Sequence, residues 1–159
     1  MEKVNLTRRS ILGIGWGAFL LSIFGTLVAN VRFLFPNVLY EPPSRVKLGR
    51  PEDYAIGSSA FVPEQRVYLL REREGFRCIS AVCTHLRCTI NNFDPPDAEF
   101  PEPHSHCPCH GSVFAKKDGR VLRPPAPRPL EMYHVALAPD GRLLVDTGRR
   151  VAAEFVLRT

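Results

Sequence analysis

Two six-residue stretches constrain this chain more than any other feature: Cys83-Thr84-His85-Leu86-Arg87-Cys88 and Cys107-Pro108-Cys109-His110-Gly111-Ser112. Each offers a cysteine and a histidine at short spacing, Cys83-x-His85 in the first and Cys107-x-x-His110 in the second. Each also carries one further cysteine, Cys88 and Cys109. Thiolate and imidazole are the side chains that bind borderline and soft metals. Two matching loops of this kind point to a metal site, and whatever fold the chain adopts has to bring them together.

Three metal readings compete. A Cys2His2 zinc site groups its ligands, cysteines in one loop and histidines in the other, whereas each loop here holds one of each. A plant-type all-cysteine cluster needs Cys-x4-Cys-x2-Cys. Cys83-x4-Cys88 begins that pattern, but no cysteine follows at the next position. The third reading is a [2Fe–2S] cluster with two cysteines on one iron and two histidines on the other. Pairing Cys83 with Cys107 and His85 with His110 then lets each loop give one ligand to each iron.

The two stretches resemble the cluster loops of the Rieske iron–sulfur proteins of cytochrome bc-type quinol oxidase complexes, which read close to Cys-Thr-His-Leu-Gly-Cys and Cys-Pro-Cys-His-Gly-Ser. Eleven of twelve positions match. The resemblance implies that Cys83 and Cys107 hold the buried iron and that His85 and His110 hold the iron nearer solvent. It also implies a disulfide between Cys88 and Cys109, a pair that soluble Rieske ferredoxins and ring-hydroxylating oxygenases usually lack. Ser112 is placed as in the family to donate a hydrogen bond to the cluster. Arg87 stands where the family has glycine, and Phe114 where many high-potential members have a tyrosine that bonds a ligand cysteine. Pro125-Ala126-Pro127 matches a segment that covers the cluster in the family, with Pro124 in place of the usual glycine.

Read in order, the chain shows a cytoplasmic twin-arginine-like N-terminus over 1–10, a transmembrane anchor over 11–31, a neck over 32–43 and a cluster domain over 44–159, whose cluster-binding part spans about 82–128. Ile11 to Val31 contains no charge in 21 residues, which as a helix reaches roughly 31 Å, about one bilayer core. Arg8-Arg9 before that run resembles a twin-arginine export signal; the alternative is a stop-transfer anchor whose arginines set orientation. Either leaves the N-terminus cytoplasmic and the remainder on the periplasmic or outer side of a single-pass cell-membrane protein. The run exceeds a cleavable signal's apolar region, so an uncleaved anchor is expected. Gly13 and Gly17 form a small-xxx-small pair able to pack on another membrane helix. Pro36, Pro42, Pro43 and Pro51 exclude a continuous helix through the neck.

Beyond the neck the pattern is mainly β, and a small antiparallel β domain with the two loops at one tip is expected. Arg66–Arg71 and Phe76–Val82 flank Glu72-Arg73-Glu74-Gly75, a hairpin whose second strand delivers Cys83. Met132–Ala138 and Arg142–Asp146 flank Pro139-Asp140-Gly141, a second hairpin. Val151 to Leu157 closes an edge, and Lys117-Asp118-Gly119 marks another turn. Asn91 to Ser105, with Asp94, Asp97, Glu99, Glu102 and four prolines, is no central strand. It reads as a solvated acidic loop, or as a docking surface for a basic partner. His104 and His106 just before Cys107 are not assigned to the cluster, because Cys107 and His110 already complete the pattern. His134 alternates along a strand and is read as structural, and Cys78 as a buried free thiol.

Net charge is +5 with no basic stretch interleaved with aromatics, so nucleic acid is not a partner. The resemblance implies an electron-transfer subunit rather than an enzyme by itself. It would take an electron and a proton from quinol, with His110 as the quinol contact and His85 beside it, and pass the electron to a cytochrome c-type acceptor. Its partners would be a cytochrome b subunit and the membrane. The missing tyrosine donor at Phe114 favours menaquinol over ubiquinol, since hydrogen bonds to sulfur raise the potential. The alternative is the Rieske small subunit of an arsenite-oxidase-like molybdoenzyme.

Overall fold

The computed structural model describes residues 7–35 and 43–159; the sequence before Thr7 and the neck prolines Pro36 and Pro42 lie outside the described residues. Two compact units result, and they are taken separately.

The first is built on the helix α1 (Arg8–Leu34), of 27 residues and mean hydropathy 2.0. Thr7 caps it by accepting the Ser10 amide at 3.2 Å, which satisfies one of the first-turn donors. None of its residues is buried. A helix apolar on every side fits lipid rather than the surface of a globular unit. Asn30, polar within the run, turns its amide onto the Thr26 carbonyl at 2.8 Å, as hydrocarbon surroundings require.

Among its described residues, the second unit holds nine short strands in two antiparallel sheets. Six of them, β1 (Arg45–Lys47), β2 (Ser59–Val62), β3 (Val67–Glu72), β4 (Gly75–Ser80), β8 (Met132–Leu137) and β9 (Leu143–Val151), form one sheet in the order β1-β9-β8-β4-β3-β2. The other three, β5 (His104–His106), β6 (Val113–Ala115) and β7 (Val121–Arg123), form a small sheet in sequence order. Both expected hairpins occur, with Glu72 opposite Gly75 in one and Leu137 opposite Leu143 in the other. Arg66 stands just outside β3 with φ 51°, and β4 ends at Ser80; each strand instead extends one residue into the expected turn, since Glu72 pairs with Gly75 and only Arg73 and Glu74 connect them. The expected edge at 151–157 is present as the end of β9 and a bridge from Leu157 to Phe76. There Gly75 is obligatory, because a Cβ would lie 2.0 Å from the Leu157 carbonyl oxygen.

Side chains on β3 alternate between two cores, as the two-residue period demands. Val67 and Leu69 join Val62, Phe76, Cys78, Val135, Leu143 and Val145 in one. Because Val62 and Leu143 come from strands well apart in the sheet order, the large sheet curls so that this face encloses its own core. Tyr68 and Leu70 join Ile79, Ala81, Cys83, Cys107, Phe114, Ala126 and Met132 in the other. That second core is the seam between the large sheet and the small one, and both loop cysteines belong to it. Cys78 is buried and free, and burial pushes its thiol far above the usual range. His134 packs on Phe155 with ring centroids 5.1 Å apart, the structural role read from its place in the strand.

Candidate metal centre

The two loops have the same backbone frame. In each, the amide of the first cysteine donates to the carbonyl five residues on, Cys83 to Cys88 and Cys107 to Ser112, both at 2.8 Å. In each, the amide four residues on returns to that cysteine's carbonyl, Arg87 to Cys83 and Gly111 to Cys107, both at 3.0 Å. The returning residue adopts a left-handed conformation, φ 62° at Arg87 and φ 77° at Gly111, where a side chain is costly and glycine is not. β4 leads into the first loop and β6 leaves the second, so the seam between the sheets holds both.

This frame brings together the residues picked out in the sequence. Cys83 and Cys107 are free and buried, 1% and 2% exposed, and neighbour each other in the same core. Burial holds the Cys83 thiol above its usual range; the His85 backbone amide opposes this, the neighbouring Cys107 adds to it, and the Ser112 hydroxyl opposes it. Two donors therefore aim at a sulfur that has no other source of charge stabilisation, an environment built for a metal-bound thiolate. The His85 and His110 rings stand 4.9 Å apart and perpendicular, His85 half-buried and His110 exposed. His85 Nδ1 is buried without a hydrogen-bond partner. A buried imidazole nitrogen without a hydrogen-bond partner, in the same pair of loops as two free thiols, fits a metal ligand. Cys88 and Cys109 form a disulfide that ties the loops at their solvent side.

A third segment closes the arrangement. Ala126 donates its amide to Ser112 Oγ at 3.0 Å, Thr84 Oγ1 donates to the Arg128 carbonyl at 2.6 Å, and Arg123 Nε donates to the Gly111 carbonyl at 3.1 Å. The proline-rich stretch 123–129 is thus bonded to both loops. By accepting the Ala126 amide, the Ser112 oxygen leaves its hydroxyl hydrogen for Cys83. That orientation could not be read from the sequence, where Ser112 and Ala126 are 14 residues apart.

A profile of the Rieske [2Fe-2S] domain matches residues 44–134. The chain belongs to the Rieske [2Fe–2S] family. Among curated relatives, it is 30% identical over 140 residues to the cytochrome b6-f complex iron-sulfur subunit of Chlorobaculum tepidum, covering 80% of this chain and 73% of that one. It is 45% identical over 165 residues to cytochrome b6-f complex iron-sulfur subunit 3 of Nostoc sp., covering 92% of this chain and 88% of that one. The crystal structure of a plasma membrane Rieske protein from Synechocystis, 28% identical, covers 64% of this chain and 98% of its own at a TM-score of 0.45. The cofactor of a Rieske domain is a [2Fe–2S] cluster, and the donor set here, two buried thiols and two imidazoles, has the composition such a cluster takes.

The acidic stretch 91–105 is mostly irregular and ends in β5. Its charges are largely used internally: Glu99 pairs with Arg123 at 2.7 Å, and Glu102 with Arg120. Asp97 accepts the Phe100 and Glu99 amides, which hold its carboxyl below the usual range. His104 and His106 lie on β5, outside the cluster loops.

Proposed function

We propose that this chain is the electron-transfer subunit of a membrane quinol oxidase complex of the cytochrome bc or b6-f type, taking one electron and one proton from quinol and handing the electron to a cytochrome c-type acceptor. The observation that carries the reading is the exposed tip. His110 is exposed, Leu86 beside the paired histidine is 63% exposed, and Pro124, Pro125 and Pro127 are exposed on the segment bonded to the loops. An imidazole set in an apolar collar suits an apolar, hydroxyl-bearing ligand held by a partner subunit.

In this reading Cys83 and Cys107 would hold one iron, and His85 and His110 the other. When bound, the cluster supplies one-electron chemistry, at about −150 to +300 mV for histidine-ligated centres. Around it the chain's residues divide the work. His110 accepts the quinol hydroxyl proton on its outward ring nitrogen, and His85 stands behind it. Leu86 and the prolines exclude water from the contact. Ser112 donates to Cys83 and favours the reduced state. The disulfide and the lid bonds hold the loops in register. Phe114, buried in the seam without a hydroxyl, removes one donor found in high-potential relatives, which favours menaquinol as the reductant. α1 anchors the chain in the cell membrane, its N-terminus cytoplasmic and the Rieske domain on the outer side, and Arg8-Arg9 reads as part of the export signal. The cytochrome b subunit is the expected neighbour of α1, through the Gly13 and Gly17 face.

The test is an EPR-monitored redox titration of membranes containing the full chain, with purification of its complex. A rhombic Rieske signal, a midpoint below the top of the range and co-purification with a cytochrome b support the reading. A midpoint near the top sinks the menaquinol preference. Co-purification with a molybdopterin subunit instead makes the chain the small subunit of an arsenite-oxidase-like enzyme.

A further inference from the structure

A second constellation of metal-binding side chains lies beside the Rieske loops and is not used by them. Asp94 and His104 face each other across an antiparallel bridge, with the Asp94 amide donating to the His104 carbonyl at 2.7 Å and the reverse bond at 3.1 Å. Residues directly opposite in such a pair project to the same side. His106 follows His104 by two along β5 and so shares that side, whereas Ser105 and Cys107 alternate to the other. One ligand atom from each of Asp94, His104 and His106 lies within 4.8 Å of the others. The site therefore opens away from the cluster, although His106 and Cys107 are adjacent.

His104 supplies the decisive detail. The residue is 1% exposed, and its Nδ1 lies 2.9 Å from the Glu102 carbonyl oxygen. A carbonyl can only accept, so Nδ1 carries the hydrogen, and in the neutral imidazole the lone pair is then on Nε2. That Nε2 is buried with no hydrogen-bond partner. Asp97 Oδ2 lies 3.6 Å from it, too distant for a hydrogen bond. A ligating histidine held by a backbone carbonyl through its other nitrogen is the usual support of a metal site. Two ligands about 2.0–2.1 Å from a tetrahedral zinc stand about 3.3 Å apart, close to the 3.6 Å between His104 Nε2 and Asp97 Oδ2. The other acidic residues of the loop, Glu99 and Glu102, are paired with Arg123 and Arg120, which leaves Asp94 grouped with both imidazoles and Asp97, outside that group, beside His104. Two carboxylates and two neutral imidazoles balance one divalent ion. Phe100 packs on both rings, 4.8 Å from His104 and 5.9 Å from His106, as an apolar wall behind the ligands. Asp94 is exposed and His106 half-buried, so an ion enters from solvent.

We propose that Asp94, Asp97, His104 and His106 form a binding site for a zinc-class divalent ion, separate from the Rieske cluster, which pins the acidic segment to β5. Imidazole ligands select this class over magnesium and calcium, which take oxygen.

The experiment is calorimetric titration of the cluster-loaded full chain in detergent with Zn2+, with Mg2+ as the comparison ion. Wild type should bind one Zn2+ per chain and no Mg2+. Asp94→Asn and Asp97→Asn, both at exposed positions, should each weaken Zn2+ at least tenfold, and His106→Gln should abolish binding. The Rieske EPR signal of each variant should be unchanged, which separates loss of this site from loss of the loops. If His106→Gln fails to hold its cluster, the two aspartate variants decide the matter, since neither touches a loop residue. Zinc-edge absorption should read two nitrogen and two oxygen ligands. Absence of zinc binding in wild type, or equal affinity in all variants, overturns the site; the latter would assign the zinc to the exposed His110 instead.

Discussion

The loops Cys83–Cys88 and Cys107–Ser112 share hydrogen-bond frame, left-handed turn residue and ligand types, and differ at that turn: Arg87 in one, Gly111 in the other. Both loops are tied to the lid, the first by Thr84 to Arg128 and the second by Ser112 to Ala126, and the disulfide joins them to each other. The comparison teaches that the frame belongs to the backbone. An unfavourable residue is tolerated at the turn of the first loop because the partner loop and the flanking strand fix it: Arg66 donates to the Arg87 carbonyl at 2.7 Å and to Thr89 Oγ1 at 2.9 Å.

Breaking the link between the loops has the largest expected effect. Cys88→Ser with Cys109→Ser should cost about 3 kcal/mol by the chain-entropy relation for a bridge of separation 21, read as a lower denaturation midpoint, with the Rieske EPR signal becoming labile. An unchanged midpoint would mean that the frame needs no tie. Next comes Ser112→Ala, which strands the buried Ala126 amide and removes the donor to Cys83. It should cost roughly 1–3 kcal/mol of stability and lower the cluster midpoint by tens of millivolts, about 60 mV for each 1.4 kcal/mol lost from the reduced state. Redox titration of the purified protein reads the shift, and its absence would deny Ser112 a part in tuning.

The two turn residues sharpen the comparison directly. Gly111→Ala should destabilise by about 1–2 kcal/mol; its new Cβ meets nothing within 4 Å, so the loss is purely conformational. Arg87→Gly should do the opposite and stabilise by about 0.5–1 kcal/mol, the relief being partly offset by a more flexible unfolded chain. Thermal denaturation of the two variants side by side checks both signs. If they shift in the same direction, the loops are not equivalent in the way their backbones suggest.

Much of the molecule is legible in its residues alone. The two Cys/His loops, the β character of the domain, both long hairpins and the apolar run that becomes α1 follow from residue type, spacing and period. The small sheet is not legible, because β5, β6 and β7 are three residues each, too short for a period to declare itself. His104 and His106 are visible as a His-x-His pair downstream of Asp94 and Asp97, and that spacing on a strand is the available signal. It is a weak one beside Cys107, because the cluster pattern is complete without either histidine.

The sequence by itself determined the family and the candidate ligands, because these are carried by side chains at short spacings. What the tertiary structure alone decided were the pairings between distant segments: thiol beside thiol across 24 positions, the Ser112 hydroxyl turned by a lid residue, and a buried imidazole bare on one nitrogen because Glu102 occupies the other. Those depend on which segments the two sheets press together at their seam, and a contact of that kind leaves no periodic trace in a linear chain.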